Sequence, residues 1–301
     1  MAIATETILK SDDQTGTLGG FLGPPATTPL GEAQLRQRGF TGYLARPERA
    51  RGRLPGLLVI QEGWGVDAHI EDVTRRLAAA GYVALAPDLF AEKGKRPEPL
   101  SRERLAELQA FANESGANVF GDPQARAQAL ATRAEHERGR LSESLDMLAA
   151  VGFSAAKLAD HVVTLKAAAT YLRAERSDTT GQKVGAIGFC LGGGLAALLA
   201  CRDPELGAAV IYYGSAPPPG EIPAIRCPVL GMYGGKDARI TGQVPSLVQA
   251  MAAAGKAFEH HVYAEAGHAF FNDGRPSYDA GAARDAFART LGFLRDALAG
   301  G

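Results

Sequence analysis

The segment Gly188-Phe189-Cys190-Leu191-Gly192-Gly193 sets one thiol among glycines, directly after the apolar run 184–187 and before the small-residue stretch 191–200. A strand that turns sharply into a helix at such a point is a nucleophile elbow, G-x-nucleophile-x-G, here with cysteine as the nucleophile. The glycines are a steric requirement, because side chains at Gly188 or Gly192 would collide across the turn. The helix that follows points free N–H groups and a partial positive charge at the sulfur, favouring thiolate and oxyanion alike. Taken alone, the motif is equally a tight turn holding a buried cysteine.

Two later features decide between these readings. Asp237 follows Gly234-Gly235-Lys236 at the end of the apolar run 229–233, and Gly267-His268 follows the strand-like run 259–263. Nucleophile, acid and histidine thus occur in that chain order, each on a loop just past the C-terminal end of a strand. His268 would carry the proton between Cys190 and the leaving group or water. Asp237 would hold the histidine tautomer and stabilise the imidazolium. A third loop, Gln61-Glu62-Gly63-Trp64-Gly65, ends the buried run 56–61. Its Gly63 N–H is expected to join the Leu191 N–H in an oxyanion hole. Glu62 would then point near Cys190 and could serve as base for the thiol. The alternative reading of Glu62 is an ordinary acidic residue ahead of a helix.

These loops require a scaffold of alternating strands and helices. Short apolar runs at 56–61, 82–86, 183–189, 208–213 and 229–233 read as buried strands, with 259–263 as a further strand and 40–45 as an edge strand. Helices are expected at 67–80, where Ile70, Val73, Leu77 and Ala80 share a face, and at 157–173, 191–200, 244–254 and 280–299. This alternation implies an α/β fold with a mostly parallel sheet and helices on both faces. Residues 1–36, rich in Gly, Thr and Pro, read as an N-terminal extension with one short strand at 7–10, ahead of a domain over 37–301. Residues 91–155 are charged and helix-favouring and contain no strand candidate. They read either as a helical surface insertion or as a lid over the loops that carry the chemistry.

Composition narrows the partners. Lys+Arg 32 against Asp+Glu 33, with no basic stripe, removes the electrostatic case for nucleic acid. Three cysteines form neither a disulfide framework nor a zinc pattern, and Cys201 and Cys227 are expected to be inert packing residues. No secretory signal and no apolar stretch of about 18 residues are read, so a cytoplasmic setting away from membranes is expected. His260 and His261 are neighbours in a strand and point to opposite faces, so they cannot chelate one metal together. His69, His136 and His161 lack paired metal spacing and are expected at the surface. Neither metal nor cofactor is called for.

The motifs GFCLGG, QEGWG, the Asp after GGK, and GHAFFND followed by RPSY resemble the dienelactone hydrolase (carboxymethylenebutenolidase) family of the α/β-hydrolase superfamily, from about residue 39 to 298. The resemblance implies Cys190 as nucleophile with Asp237 and His268, and Glu62 as the carboxylate that takes the thiol proton when substrate enters. It implies opening of an ester or lactone through an acyl-thioester. Trp64 and Phe270, on the matched loops, are expected to line the substrate. The family's two substrate-holding arginines would fall at Glu92 and Asn272, and neither position is Arg here; Arg275 or Lys93 could stand in. Segment 91–155 is also longer than the family's core version.

The nucleophile constrains the substrate. A tetrahedral intermediate on sulfur expels thiolate more readily than a simple alkoxide, so activated esters and enol lactones are expected over alkyl esters. Two other functions remain open at this stage. One is a non-hydrolytic thiol redox sensor, which needs no Asp237 or His268 but often a resolving cysteine. The other is a catalytically dead binding protein on the same fold.

Overall fold

A computed structural model describes residues 2–10, 39–92 and 94–299. Eight strands, β1 (Ile3–Lys10), β2 (Phe40–Pro47), β3 (Gly56–Ile60), β4 (Val83–Pro87), β5 (Val184–Phe189), β6 (Ala208–Tyr212), β7 (Val229–Gly234) and β8 (Phe258–Tyr263), form one sheet in the order β1-β2-β4-β3-β5-β6-β7-β8. The first two strands pair antiparallel and every pair from β4 to β8 is parallel. The helices used below are α1 (Ala68–Ala79), α2 (Arg102–Ser115), α3 (Pro123–Ala131), α4 (Glu135–Gly152), α5 (Ala155–Thr170), α6 (Leu191–Arg202), α7 (Val244–Ala253) and α8 (Ala280–Leu298).

The central strands are buried on both faces, and the two-residue period of a strand sorts their side chains. Leu58 and Ile60 of β3 and Val83 and Leu85 of β4 join the core on the α5–α6 side. Leu57, Val59, Ala84 and Ala86 join the core under α1 and α8. Helix α1 presents Ile70, Val73 and Leu77 to that second core and starts at Asp67, whose carboxylate accepts the Ile70 N–H at 3.0 Å. This is the α/β-hydrolase fold.

Three expectations change. The N-terminal strand is Ile3–Lys10 rather than 7–10, and it pairs with β2 along all eight residues. Strand β2 is therefore second from the edge, its free backbone groups covered by β1. The Gly/Pro-rich remainder of the expected extension, residues 11–36, lies outside the described residues, as does Lys93. His69 and His161, expected at the surface, are buried, whereas His136 is exposed. His161 Nε2 bonds the Val151 carbonyl at 2.8 Å, and the His69 ring packs edge-on against Phe189 and Phe271.

Segment 91–155 forms α2, α3, α4 and short turns, with a small core of its own. Leu105, Leu108 and Phe111 of α2 meet Leu141, Leu145 and Leu148 of α4, and the cluster closes on Trp64 and Phe90, which come from loops after β3 and β4. The segment is thus anchored on the C-terminal edge of the sheet. Among the described residues no single helix is long and apolar enough to cross a membrane.

Candidate active site

The loops after β3, β5, β6, β7 and β8 converge at that edge. Cys190 sits between β5 and α6 with φ 53, a strained value for a non-glycine residue. A Cβ on Gly188 would stand 1.9 Å from the Gly192 oxygen, and one on Gly192 would stand 2.3 Å from the Ile60 oxygen. Glycine at both positions lets the elbow close and seats the start of α6 against the end of β3.

His268 Nε2 lies 3.1 Å from Cys190 Sγ, and His268 Nδ1 donates to Asp237 Oδ2 at 2.5 Å. Burial opposes charge on this ring, but the hydrogen bonds to Asp237 and Cys190 outweigh it and raise the pKa to about 10. The imidazolium is thereby held beside the sulfur at neutral pH. The Leu191 N–H, in the first turn of α6, has no partner within the helix. Gly63 lies on the neighbouring loop, so both expected oxyanion donors flank the elbow.

Glu62 has other partners than the thiol in this structure. Its carboxylate makes no hydrogen bond to Cys190; Oε1 accepts from the Tyr213 hydroxyl at 3.0 Å and Oε2 from Asn272 Nδ2 at 2.8 Å. A carboxylate only 2% exposed needs such donors, and these two engage both of its oxygens. Tyr213 is the residue that sequence reading missed. It has φ 39, its ring packs against His268 at 5.2 Å, and burial together with the Glu62 charge raises its hydroxyl well above the usual tyrosine range. It therefore stays a donor. The available signal was its position, just past a strand and before Gly214, like the loops of Cys190, Asp237 and His268.

Phe270, expected to line the substrate, is fully buried among Tyr212, Tyr213 and Tyr263 and backs the site instead. Trp64 sits between Phe120 of the 91–155 segment, ring centroids 5.6 Å apart, and the Arg275 guanidinium at 5.1 Å. Glu92 pairs with Lys157 at 3.3 Å. Asn272 is spent on Glu62, while Arg275 keeps a buried Nη1 with no hydrogen-bond partner among the described residues. Cys201 and Cys227 are free and buried, and burial pushes their thiols up to about 12 and about 11. No group of three or more His, Cys, Asp or Glu that could hold a metal occurs among the described residues.

The sequence model of the dienelactone hydrolase family matches residues 40–298. The chain belongs to this family. Dienelactone hydrolase relatives agree along most of its length. The "Putative carboxymethylenebutenolidase" of Saccharolobus solfataricus is 33% identical over 254 residues, covering 84% of this chain and 92% of that protein. The carboxymethylenebutenolidase of Pseudomonas putida is 30% identical over 247 residues, covering 81% and 87%. The crystal structure of the "Putative Dienelactone Hydrolase" from Klebsiella pneumoniae superposes with a TM-score of 0.63 at 29% identity, covering 97% of this chain and 98% of that one. The chain is a hydrolase of the dienelactone hydrolase type.

Proposed function

We propose that the protein hydrolyses activated esters or enol lactones at Cys190, with Asp237 and His268 completing a triad and an acyl-thioester as intermediate. The observation that carries this reading is the Cys190–His268–Asp237 chain of contacts, 3.1 Å and 2.5 Å, on three loops at one sheet edge. The Cys190 thiolate attacks the carbonyl carbon, and the charge that develops on oxygen is met by the Leu191 and Gly63 N–H groups. Collapse breaks the bond to the alcohol or enol oxygen, which takes its proton from the His268 imidazolium. Neutral His268 then draws a proton from water, the hydroxide adds to the thioester, and the C–S bond breaks to return the thiolate. Asp237 keeps Nδ1 protonated throughout.

His268, not Glu62, receives the thiol proton in this scheme, since among the described residues it is the His268 ring that hydrogen-bonds the sulfur. Glu62 acts on the site through Tyr213, whose ring packs on His268. Residues 91–155 serve as a lid on the hydrolase domain at 37–301. Phe153, at the end of α4, would meet a Cβ on Gly63 at 3.6 Å, and Gly152 faces Leu191. The lid therefore reaches both oxyanion loops. Leaving-group chemistry sets the substrate class, because a thiolate is the better leaving group against any simple alkoxide. The redox-sensor reading has no support here, since Cys201 and Cys227 are buried and held as thiols.

The direct test is mass spectrometry of the protein quenched in acid during turnover of a nitrophenyl ester. An acyl adduct on the peptide bearing Cys190 is expected. Turnover without an adduct, and unimpaired in Cys190→Ala, would remove the scheme.

A further inference from the structure

A cavity of about 540 Å3, within the range of small-molecule sites, lies between α2, the first turn of α1 and the loop at 272–274. Trp64, His69, Arg96 and Asn272 are in its wall; Cys190 and His268 are not. Because Asn272 holds Glu62, the cavity borders the thiol site across that hydrogen bond.

Two side chains in this wall have buried polar atoms without hydrogen-bond partners among the described residues. His69 is 8% exposed, and neither ring nitrogen is hydrogen-bonded; its nearest charge is Asp273 at 3.7 Å. Arg96 spends Nε on Asp88 and Nη2 on the Val66 carbonyl, leaving Nη1 buried with no acceptor. Native interiors pair nearly all such atoms, so these nitrogens are available to a polar group that enters the cavity.

The charges say which ligand. Arg96 is answered by Asp88, Arg102 by Glu71, and Asp72 by Arg75 and Arg76. The acids left over are Asp67 and Asp273, with Glu62 behind them. Burial and the Glu62 charge already raise the Asp67 carboxyl above the usual range, so another carboxylate is unwelcome here. A hydroxyl can accept from the Arg96 and His69 nitrogens and donate to the Asp67 and Asp273 oxygens.

We infer that this cavity binds an uncharged, hydroxyl-bearing portion of the substrate, with His69, Arg96, Asp67 and Asp273 as its hydrogen-bonding wall. The inference rests on hydrolysis at Cys190 and names the substrate class for it. The position where the family resemblance places an arginine carries Asn272, and its amide is committed to Glu62. The guanidinium charges of the wall are already paired, Arg96 with Asp88 and Arg102 with Glu71, so Arg96 Nη1 offers a hydrogen bond without a surplus positive charge.

The test is a length series of nitrophenyl esters ending in methyl, vicinal diol or carboxylate, with the terminal group carried once on the acyl chain and once on the aryl leaving group. Nitrophenyl acetate, too short to reach the cavity, reports the thiol chemistry alone. At one of the two placements, the diol ester is expected to exceed its methyl and carboxylate counterparts in kcat/KM by about tenfold, which is about 1.4 kcal/mol. In His69→Phe, which keeps a ring against Phe189 and Phe271, the diol-to-methyl ratio is expected to fall to near one. Reading a ratio removes any general loss from a destabilised variant. In Asp273→Asn, on the exposed loop, the carboxylate ester is expected to gain relative to methyl. A carboxylate ester equal or preferred in the unmodified protein, or a diol ratio that survives His69→Phe, overturns the subsite. Nitrophenyl acetate turnover that is absent, or intact in Cys190→Ala, overturns the hydrolysis reading instead.

Discussion

Asn272 donates its side-chain amide to Glu62 at 2.8 Å, in a position where both residues are almost completely buried. A neutral donor thus holds the acid at the place where the family resemblance puts a cation. With the Tyr213 hydroxyl on the other oxygen, Glu62 is satisfied without Cys190. The thiol is left to His268.

In this arrangement both Glu62 oxygens are engaged by Tyr213 and Asn272 rather than by the thiol. Glu62→Gln is expected to lower kcat/KM for nitrophenyl acetate by no more than about tenfold, whereas loss of a true general base costs about 100- to 10,000-fold. A loss in the larger range would make Glu62 the base.

Removing a donor from Glu62 is a different matter. Tyr213→Phe leaves Oε1 buried and unpaired, at a cost of about 1–3 kcal/mol. Urea unfolding should show that loss. An unchanged midpoint would mean that the hydroxyl does not carry the carboxylate.

If Cys190 is the nucleophile as proposed, Cys190→Ala is expected to reduce kcat by about 10,000-fold or more. Steady-state rates on a nitrophenyl ester, with thermal unfolding to confirm the fold, check this.

For the unmodified protein, a nitrophenyl butanoate should exceed ethyl butanoate in kcat/KM by about 1,000-fold or more, equivalent to about 4 kcal/mol in the barrier. Equal values would contradict partitioning of a thiol-borne intermediate.

The pH dependence has a defined sign. His268 is raised from 6.5 to about 10, so its ion-pair contribution to stability is complete below about 6.5 and is lost as pH rises through about 10. The alkaline limb of kcat/KM should fall in the same region. Asp237→Asn removes the carboxylate that supports the charge and should move this limb to lower pH. A limb that stays put would assign it to another group.

Much of this was legible in the chain because it is local. Glycines at 188 and 192, an apolar run before Cys190, and loop residues Asp237 and His268 after buried strands are patterns of spacing and residue type. They specify the α/β alternation and the triad order, since steric closure of a turn and burial of a strand act over a few residues. Strand β1 was under-read because Thr5, Glu6 and Thr7 interrupt its apolar residues, and pairing with β2 extends it to Ile3. The direction of the Glu62 carboxylate, the role of Tyr213, the burial of Phe270 and the unpartnered nitrogens of His69 could not be read that way. Each depends on which donors and rings the tertiary fold brings within hydrogen-bond or van der Waals distance, from segments as far as 210 residues away. Sequence by itself determined which groups could react; only the packed sheet edge decided which of them touch.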